Sequence, residues 1–227
     1  MTPMPSRGES DARSDLLIRR YLTIKRRLVA EGWADEIDWQ NDLDFQAIDE
    51  TDFLRESAWV VLSAGMSERV IRVKFPQLTA IFADWRCGAD IVAHRSTMRR
   101  QALQCFGHRG KINGILAIAW MVADMGFARV KEHIAHGRET FLETLPYVGP
   151  VTALHLAKNL GLDVAKPDRH LVRVAKLAGY DSAASLCSRI AGLVGDRVSV
   201  VDLVLWRFAT QERRYRDYFT NRAPLGC

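Results

Sequence analysis

Residues 141–175, with the sequence FLETLPYVGPVTALHLAKNLGLDVAKPDRHLVRVA, decide the fold of this chain. A short apolar segment turns at Pro146-Tyr147-Val148-Gly149, and the pattern predicts a helix that begins at Pro150. A polar loop then leads to a second predicted helix just after Asp168. Two helix N-termini therefore follow each other within about twenty residues, and each favours bound negative charge or an acidic side chain.

The turn between the first two segments has the features of a phosphate-binding hairpin. Gly149 permits a backbone geometry that a side chain resists, and Pro150 suits the first helical position because no N–H is needed there. The N–H groups of Val151 and Thr152 then have no acceptor within the helix and can bind a phosphate. An ordinary turn between two core helices fits these residues equally well. The residues predicted to form this binding surface are Tyr147, Val148, Gly149, Val151 and Thr152.

Asp168 is placed to begin a helix, because Pro167 and Asp168 precede an apolar helical run. The dipole of that helix favours a negative charge at its N-terminus. An isolated aspartate in such a place is usually only a cap. Here it follows Val151 by seventeen residues, inside the segment KPDRHLVRV.

These two segments together resemble the helix-hairpin-helix (HhH-GPD) DNA glycosylases, the superfamily of endonuclease III and the adenine-mismatch glycosylase. In that family an LPGVGxxTA hairpin is followed at similar spacing by VDTHVxRV, and the aspartate is catalytic. The resemblance implies that Asp168 is the catalytic residue and that His170 and Arg173 match the family's histidine and arginine. It is strong over 141–175 and weaker over 53–75.

The chain departs from the family's pattern in three places. Tyr147 replaces the first hairpin glycine. Val151 stands where bifunctional members carry a Schiff-base lysine, so the resemblance implies a monofunctional enzyme. The four-cysteine iron–sulfur signature is absent, and the spacing of Cys87, Cys105, Cys187 and Cys227 is too wide for a metal site. The resemblance suggests one bound ion, a monovalent cation held by backbone carbonyls of the hairpin, and no other cofactor or metal.

Charge is distributed unevenly along the chain. Residues 1–50 carry 7 Lys/Arg and 11 Asp/Glu, for a net −4, and the remainder makes the total +5. No acidic residue occurs in 91–123, which contains five basic residues. Such a segment favours backbone phosphates, although any single arginine can equally be a solvated surface residue. The basic residues of this segment are Arg95, Arg99, Arg100, Arg109 and Lys111, and we predict that Arg109 and Lys111 contact DNA.

Composition is that of a globular protein, with 48% hydrophobic and 26% charged residues among 227. No apolar run approaches the ~18 residues of a membrane span, and the N-terminal segment shows no hydrophobic signal. We expect a cytoplasmic protein without a membrane partner.

Helical periodicity dominates the sequence, and no sustained period-2 alternation occurs, so the predicted fold class is all-α. We predict a disordered tail over 1–13 and two helical lobes with a cleft between them. The first lobe comprises 14–51 and 158–227. The second comprises 52–157, with the helix-hairpin-helix at about 139–160. Within them we predict a loop over 32–50, a helix that ends before Pro76, and a helix capped by Ser199.

The predicted chemistry is hydrolysis of an N-glycosidic bond in double-stranded DNA that contains a damaged or mismatched base. A fixed carboxylate stabilises the positive charge that develops on the sugar, after the base has been flipped out of the duplex. Met66 is the candidate for the side chain that fills the vacated space, although it can equally be a packing residue. Candidate base-stacking residues are Trp33, Trp39, Phe106, His108 and Trp120.

Two other functions remain open from the sequence. In a non-catalytic helix-hairpin-helix DNA-binding protein, Asp168 would only cap its helix. In a bifunctional glycosylase/AP lyase, Lys166 would act as a displaced Schiff-base lysine. A monomer is sufficient for all three, because one lesion is bound at a time.

Overall fold

The computed structural model describes residues 7–220, with side chains from residue 14 onward. Helices and turns make up this range and no strand occurs in it, which confirms the all-α prediction. The α-helices are α1 (Arg7–Leu28), α2 (Ala34–Asp42), α3 (Glu50–Ser63), α4 (Glu68–Ile81), α5 (Gly88–Ala93), α6 (Arg95–Cys105), α7 (Arg109–Met125), α8 (Phe127–Leu142), α9 (Pro150–Asn159), α10 (Arg169–Leu177), α11 (Ala183–Val194), α12 (Val198–Gln211) and α13 (Tyr215–Phe219).

The chain forms two compact units. Unit 1 comprises Met1–Leu43 and Asp163–Cys227, and unit 2 comprises Asp44–Leu162. The boundaries predicted from the sequence lie at 51/52 and 157/158. Residues 44–49 belong to unit 2 because Lys131 donates to the carbonyls of Gln46 and Ile48. Gly161 belongs there too, since its Cα lies so close to Phe45 that an added Cβ would be 2.6 Å from the Phe45 nitrogen.

Unit 1 has a continuous apolar core. Tyr21, Ile24 and Leu28 of α1 lie on one face at helical spacing and are almost fully buried. They belong to one cluster with the apolar faces of α10, α11 and α12. This core fixes α10, the helix that Asp168 begins, against α12.

Unit 2 is built around α3 and α7, both of which are largely buried. Glu56 of α3 accepts a hydrogen bond from Asn159 of α9 at 2.9 Å, which ties the hairpin helix to the centre of the unit. Desolvation by burial raises the pKa of the Glu56 carboxyl. The hairpin is therefore attached to a rigid helical scaffold.

Several predicted element boundaries are wrong. Helix α1 begins at Arg7, so the predicted disordered tail of 1–13 is helical over 7–13, and its residues 1–6 lie outside the described range. The predicted loop over 32–50 contains α2, whose acidic surface hid the buried Ile37 and Gln40 at helical spacing. Helix α4 continues through Pro76 to Ile81, because Phe75 and Leu78 on either side pack into the unit.

Within residues 7–220 no single helix is long and apolar enough to cross a membrane, and α7 with α8 reaches that length only as a pair bent by 104°.

Candidate active site and nucleic-acid interface

Asp168 is the N-cap of α10, as its position in the sequence predicts. Its Oδ1 accepts hydrogen bonds from the N–H groups of His170 at 2.8 Å and Leu171 at 2.9 Å. The side chain is partly exposed, and among the described residues no hydrogen bond reaches Oδ2. One oxygen therefore fixes the carboxylate to the helix, and the other remains available to a ligand.

The loop before Asp168 is fastened to α12 by two aspartates that the sequence analysis missed. Asp202 is buried, and its Oδ2 accepts from the N–H of Lys166 at 2.7 Å. Asp163 accepts from the N–H of Ser199 at 2.9 Å, in the first turn of α12. Ser199 is therefore not the predicted cap, because a carboxylate from the loop satisfies that N-terminus instead. These two bonds set the position from which Asp168 begins α10.

His170 and Arg173 lie on the first turns of α10 beside Asp168. Burial lowers the pKa of the His170 imidazole, with the Asp168 charge acting in the opposite direction. The His170 ring lies 6.1 Å from the ring of Tyr215, and Arg173 donates to the Tyr215 hydroxyl at 2.9 Å. Both residues thus join α10 to α13, and their observed contacts are structural.

The hairpin turn has the arrangement of a type II β-turn. The N–H of Val148 donates to the carbonyl of Leu145 at 3.1 Å, with Pro146 and Tyr147 at the two central positions. Tyr147 has φ = 65°, which is the left-handed conformation that this position requires and that glycine adopts most easily. Tyrosine therefore reproduces the glycine geometry of the turn. Val148 is buried and its N–H is engaged in the turn, so of the predicted DNA-binding residues it offers neither its side chain nor its N–H to a phosphate.

The Thr152 side chain closes the start of α9. The N–H of Gly149 donates to the Thr152 hydroxyl at 2.6 Å, and that hydroxyl donates back to the Gly149 carbonyl at 2.9 Å. Pro150 occupies the first helical position. The N–H groups of Val151 and Thr152 are left without an acceptor inside the helix, as the sequence predicts. N–H groups in this position at a helix N-terminus can bind an anion.

Lys111 does not have the role that the sequence assigned to it. The side chain is 4% exposed, and its Nζ donates to the carbonyls of Leu62 at 2.6 Å and Ala64 at 2.5 Å. It therefore binds the C-terminal end of α3, where the helix dipole favours a positive charge. Burial lowers the pKa of the Lys111 ammonium. These contacts speak against the predicted contact between Lys111 and DNA, because the ammonium is already engaged with the two carbonyls.

Arg109 is exposed at the first position of α7. Arg95, Arg99 and Arg100 lie on α6, and Arg99 donates to Asn113 of α7 at 2.8 Å. Among the described residues none of these four arginines forms an ion pair with an acidic group. The acid-free segment thus contributes unpaired positive charge to unit 2.

Met66 lies in the loop between α3 and α4 and is 41% exposed. Its N–H donates to the Ser63 carbonyl at 2.9 Å, which makes the loop tight. Lys111 holds the base of the same loop through Leu62 and Ala64. The loop is therefore ordered, with the methionine side chain directed away from the core.

The base-stacking candidates separate into two groups. In the first group, Phe106 is buried, and the guanidinium of Arg207 covers one face of the half-buried Trp33 ring at 4.0 Å from its centre. The second group is exposed and comprises Trp39, His108 and Trp120.

Cys87, Cys105 and Cys187 are free thiols in the structure, and Cys227 lies outside the described residues. In the described part of the chain no three His, Cys, Asp or Glu side chains are grouped as metal ligands.

The fold was compared with those of solved structures. The chain is similar to the Methanocaldococcus jannaschii 8-oxoguanine glycosylase/lyase, solved in complex with a 15mer DNA containing 8-oxoguanine. The TM-score is 0.60 over 84% of this chain and 98% of that chain, with 19% sequence identity. This chain shares the all-α fold of that protein. No family model matches the sequence, and no curated protein matches it either.

The glycosylase fold gives the paired motifs a structural context. The hairpin between α8 and α9 and the capped start of α10 occupy consecutive positions in the chain, as the sequence resemblance implies. At 19% identity the likeness concerns the fold alone.

Proposed function

We propose that this protein is a base-excision repair DNA glycosylase that hydrolyses the N-glycosidic bond of a flipped-out damaged or mismatched base. The observation that carries the proposal is Asp168, a partly exposed carboxylate fixed to α10 through Oδ1 alone. Support also comes from the DNA glycosylase fold of the chain. We further propose that the enzyme is monofunctional.

Asp168 would act on the sugar. As the bond to the base breaks, positive charge develops on the deoxyribose, and a carboxylate beside C1′ stabilises it. The two N–H bonds to Oδ1 hold the group in place, so little reorganisation is needed when the charge forms. The same carboxylate can orient the water that completes the hydrolysis.

The hairpin would hold the DNA backbone during this step. The N–H groups of Val151 and Thr152 would bind one phosphate, and Arg109 would add a cationic contact without reading the sequence. Met66 would enter the duplex where the base has left. The partner is double-stranded DNA with one lesion, for which a monomer is sufficient.

A monovalent cation at the hairpin belongs to the same proposal. The glycine-like conformation of Tyr147 keeps the turn geometry on which such a site depends. The Leu145 carbonyl already accepts one hydrogen bond and has a second lone pair, and together with the Val148 carbonyl it would hold the ion. The ion would supply positive charge next to the bound phosphate.

Val151 supports hydrolysis without strand cleavage, because an exposed valine cannot form a Schiff base with the sugar. A bifunctional glycosylase/AP lyase would need Lys166 as the amine, two residues before Asp168. Borohydride trapping on duplex DNA with an abasic site distinguishes the two. Any covalent adduct would contradict the monofunctional proposal, and its loss in Lys166→Ala would identify Lys166 as the amine.

The capping bonds of Asp168 also fit a non-catalytic DNA-binding protein, in which the carboxylate only begins α10. A panel of duplexes tests this alternative, each with one oxidised, deaminated, alkylated or mismatched base. A glycosylase releases a free base from at least one duplex, and Asp168→Asn abolishes that release. Binding to every duplex without release from any would contradict the proposed activity.

A further inference from the structure

Tyr147 occupies a position where its side chain is unfavourable. The third position of the hairpin turn needs a positive φ, and at 65° a tyrosine is strained whereas a glycine is not. Strain of this kind persists where surrounding contacts fix it, and it is found most often at binding sites. The contacts of the ring therefore indicate what the side chain does.

One side of the Tyr147 ring lies against the backbone of α7. A Cβ added to Gly110 would be 1.7 Å from the Tyr147 hydroxyl oxygen and 2.8 Å from Cζ. A Cβ added to Gly114 would be 3.0 Å from Cδ2. The two glycines are one helical turn apart and together form a shallow seat for the ring. The ring also meets His108 edge-on, with centroids 6.1 Å apart and planes at 89°.

The remaining surface of Tyr147 is open, because the residue is 48% exposed. It stands at the apex of the turn, four residues before Val151, whose N–H has no acceptor in the helix. Its hydroxyl lies beside Gly110, the residue next to the exposed Arg109. A partly exposed aromatic ring thus belongs to the same hairpin as the free Val151 N–H and packs on the residue that follows Arg109.

We propose that the exposed part of the Tyr147 ring packs against the sugar or base of the nucleotide whose phosphate the hairpin binds. Aromatic rings recognise nucleotides in this way without regard to sequence, because every base has a π-face. The seat on Gly110 and Gly114 holds the ring in place before DNA arrives, so little side-chain freedom is lost on binding. This inference rests on the proposed DNA-binding function and assigns a role to the side chain rather than to the backbone.

Tyr147→Gly tests the inference, because glycine adopts the observed φ without strain and removes only the ring. Affinity for a duplex with a stable abasic-site analogue is measured by fluorescence anisotropy at several salt concentrations. We expect the glycine variant to bind roughly tenfold more weakly, within the range found for single base–aromatic stacks. The dependence on salt should be unchanged, since no cation is lost. Thermal unfolding of the variant checks that the fold is intact.

Tyr147→Phe keeps the ring and loses only the hydroxyl, so it should retain most of the wild-type affinity. The inference is overturned if Tyr147→Gly binds within about twofold of the wild type, or if the phenylalanine variant loses as much affinity as the glycine variant. A wild-type protein that binds no duplex would instead contradict the proposed function itself. If the wild type releases base and Tyr147→Gly binds DNA as tightly as the wild type, the inference is contradicted but the proposed function is not.

Discussion

Lys111 and Arg109 lie two residues apart on α7, and their replacement by methionine should have opposite effects. The Lys111 ammonium makes two buried hydrogen bonds, to Leu62 and Ala64 at the end of α3. Hydrogen bonds to a charged group each contribute about 1.5–3 kcal/mol. Part of this loss is offset in Lys111→Met, because the variant has no ammonium group that must be desolvated on folding. Methionine also keeps most of the apolar stem.

We therefore expect Lys111→Met to lower the free energy of unfolding by about 2 kcal/mol. In a protein of this length that corresponds to a fall in Tm of roughly 4–8 °C. Arg109→Met should leave Tm almost unchanged, because the side chain is exposed and has no acidic partner among the described residues.

In DNA binding, Arg109→Met should be the impaired variant and Lys111→Met should behave like the wild type. The plot of log K against log salt concentration has a negative slope, and removing one phosphate contact reduces the magnitude of that slope by about 0.9. We expect that decrease in Arg109→Met and no decrease in Lys111→Met. The reasoning is refuted if Lys111→Met is as stable as the wild type and its slope falls by about one, since Lys111 would then contact a phosphate.

Three further predictions follow from contacts in the two units. Asp202→Ala removes the acceptor of the Lys166 N–H and should lower the free energy of unfolding, measured in urea, by about 2 kcal/mol. It should also slow base release more than it weakens DNA binding. Equal losses in rate and affinity would contradict a positioning role. Gly110→Ala should destabilise the wild type, because the new methyl group would overlap the Tyr147 ring. The same change should stabilise Tyr147→Gly by roughly 0.4–1 kcal/mol, because alanine restricts the unfolded chain more than glycine does. An effect of the same sign in both backgrounds would show that the ring lies elsewhere. Burial lowers the pKa of His170 in the folded protein, so the unfolded chain binds a proton at a higher pH than the folded one. Tm should therefore fall as pH drops below about 6.5, and it should fall less in His170→Gln. Identical pH profiles of Tm for the two proteins would refute this.

Local signals in the sequence were sufficient to predict the capped start of α10 and the hairpin. The cap at Asp168 needs only a proline, an acidic side chain and an apolar run, all adjacent in the chain. The same holds for Pro150 at the start of α9. The all-α class follows from the helical spacing of apolar residues, which is also a local property.

Long-range contacts account for what the sequence could not predict. Lys111 belongs to an acid-free basic segment and resembles a phosphate contact, but its acceptors are 47 and 49 residues away in the chain. Asp202 lies in the apolar run of α12, and nothing near it indicates that it anchors a loop 36 residues earlier. Ser199 has the residue type of a helix cap, yet Asp163 binds its N–H from a distant loop. In each case tertiary packing decides between two locally acceptable roles.

The most direct test of the proposed activity is the rate of base release by Asp168→Asn under single-turnover conditions, beside Asp49→Asn. Asp49 is also an N-cap aspartate, at the start of α3, and its side chain accepts from the N–H of Asp52 at 2.8 Å. Asparagine caps a helix about as well as aspartate, so both variants should fold and bind DNA.

We predict that Asp168→Asn releases base at least about 100-fold more slowly than the wild type, as expected when a group that stabilises transition-state charge is removed. Asp49→Asn should retain the wild-type rate. Equal rates for Asp168→Asn and the wild type would contradict the catalytic role of Asp168.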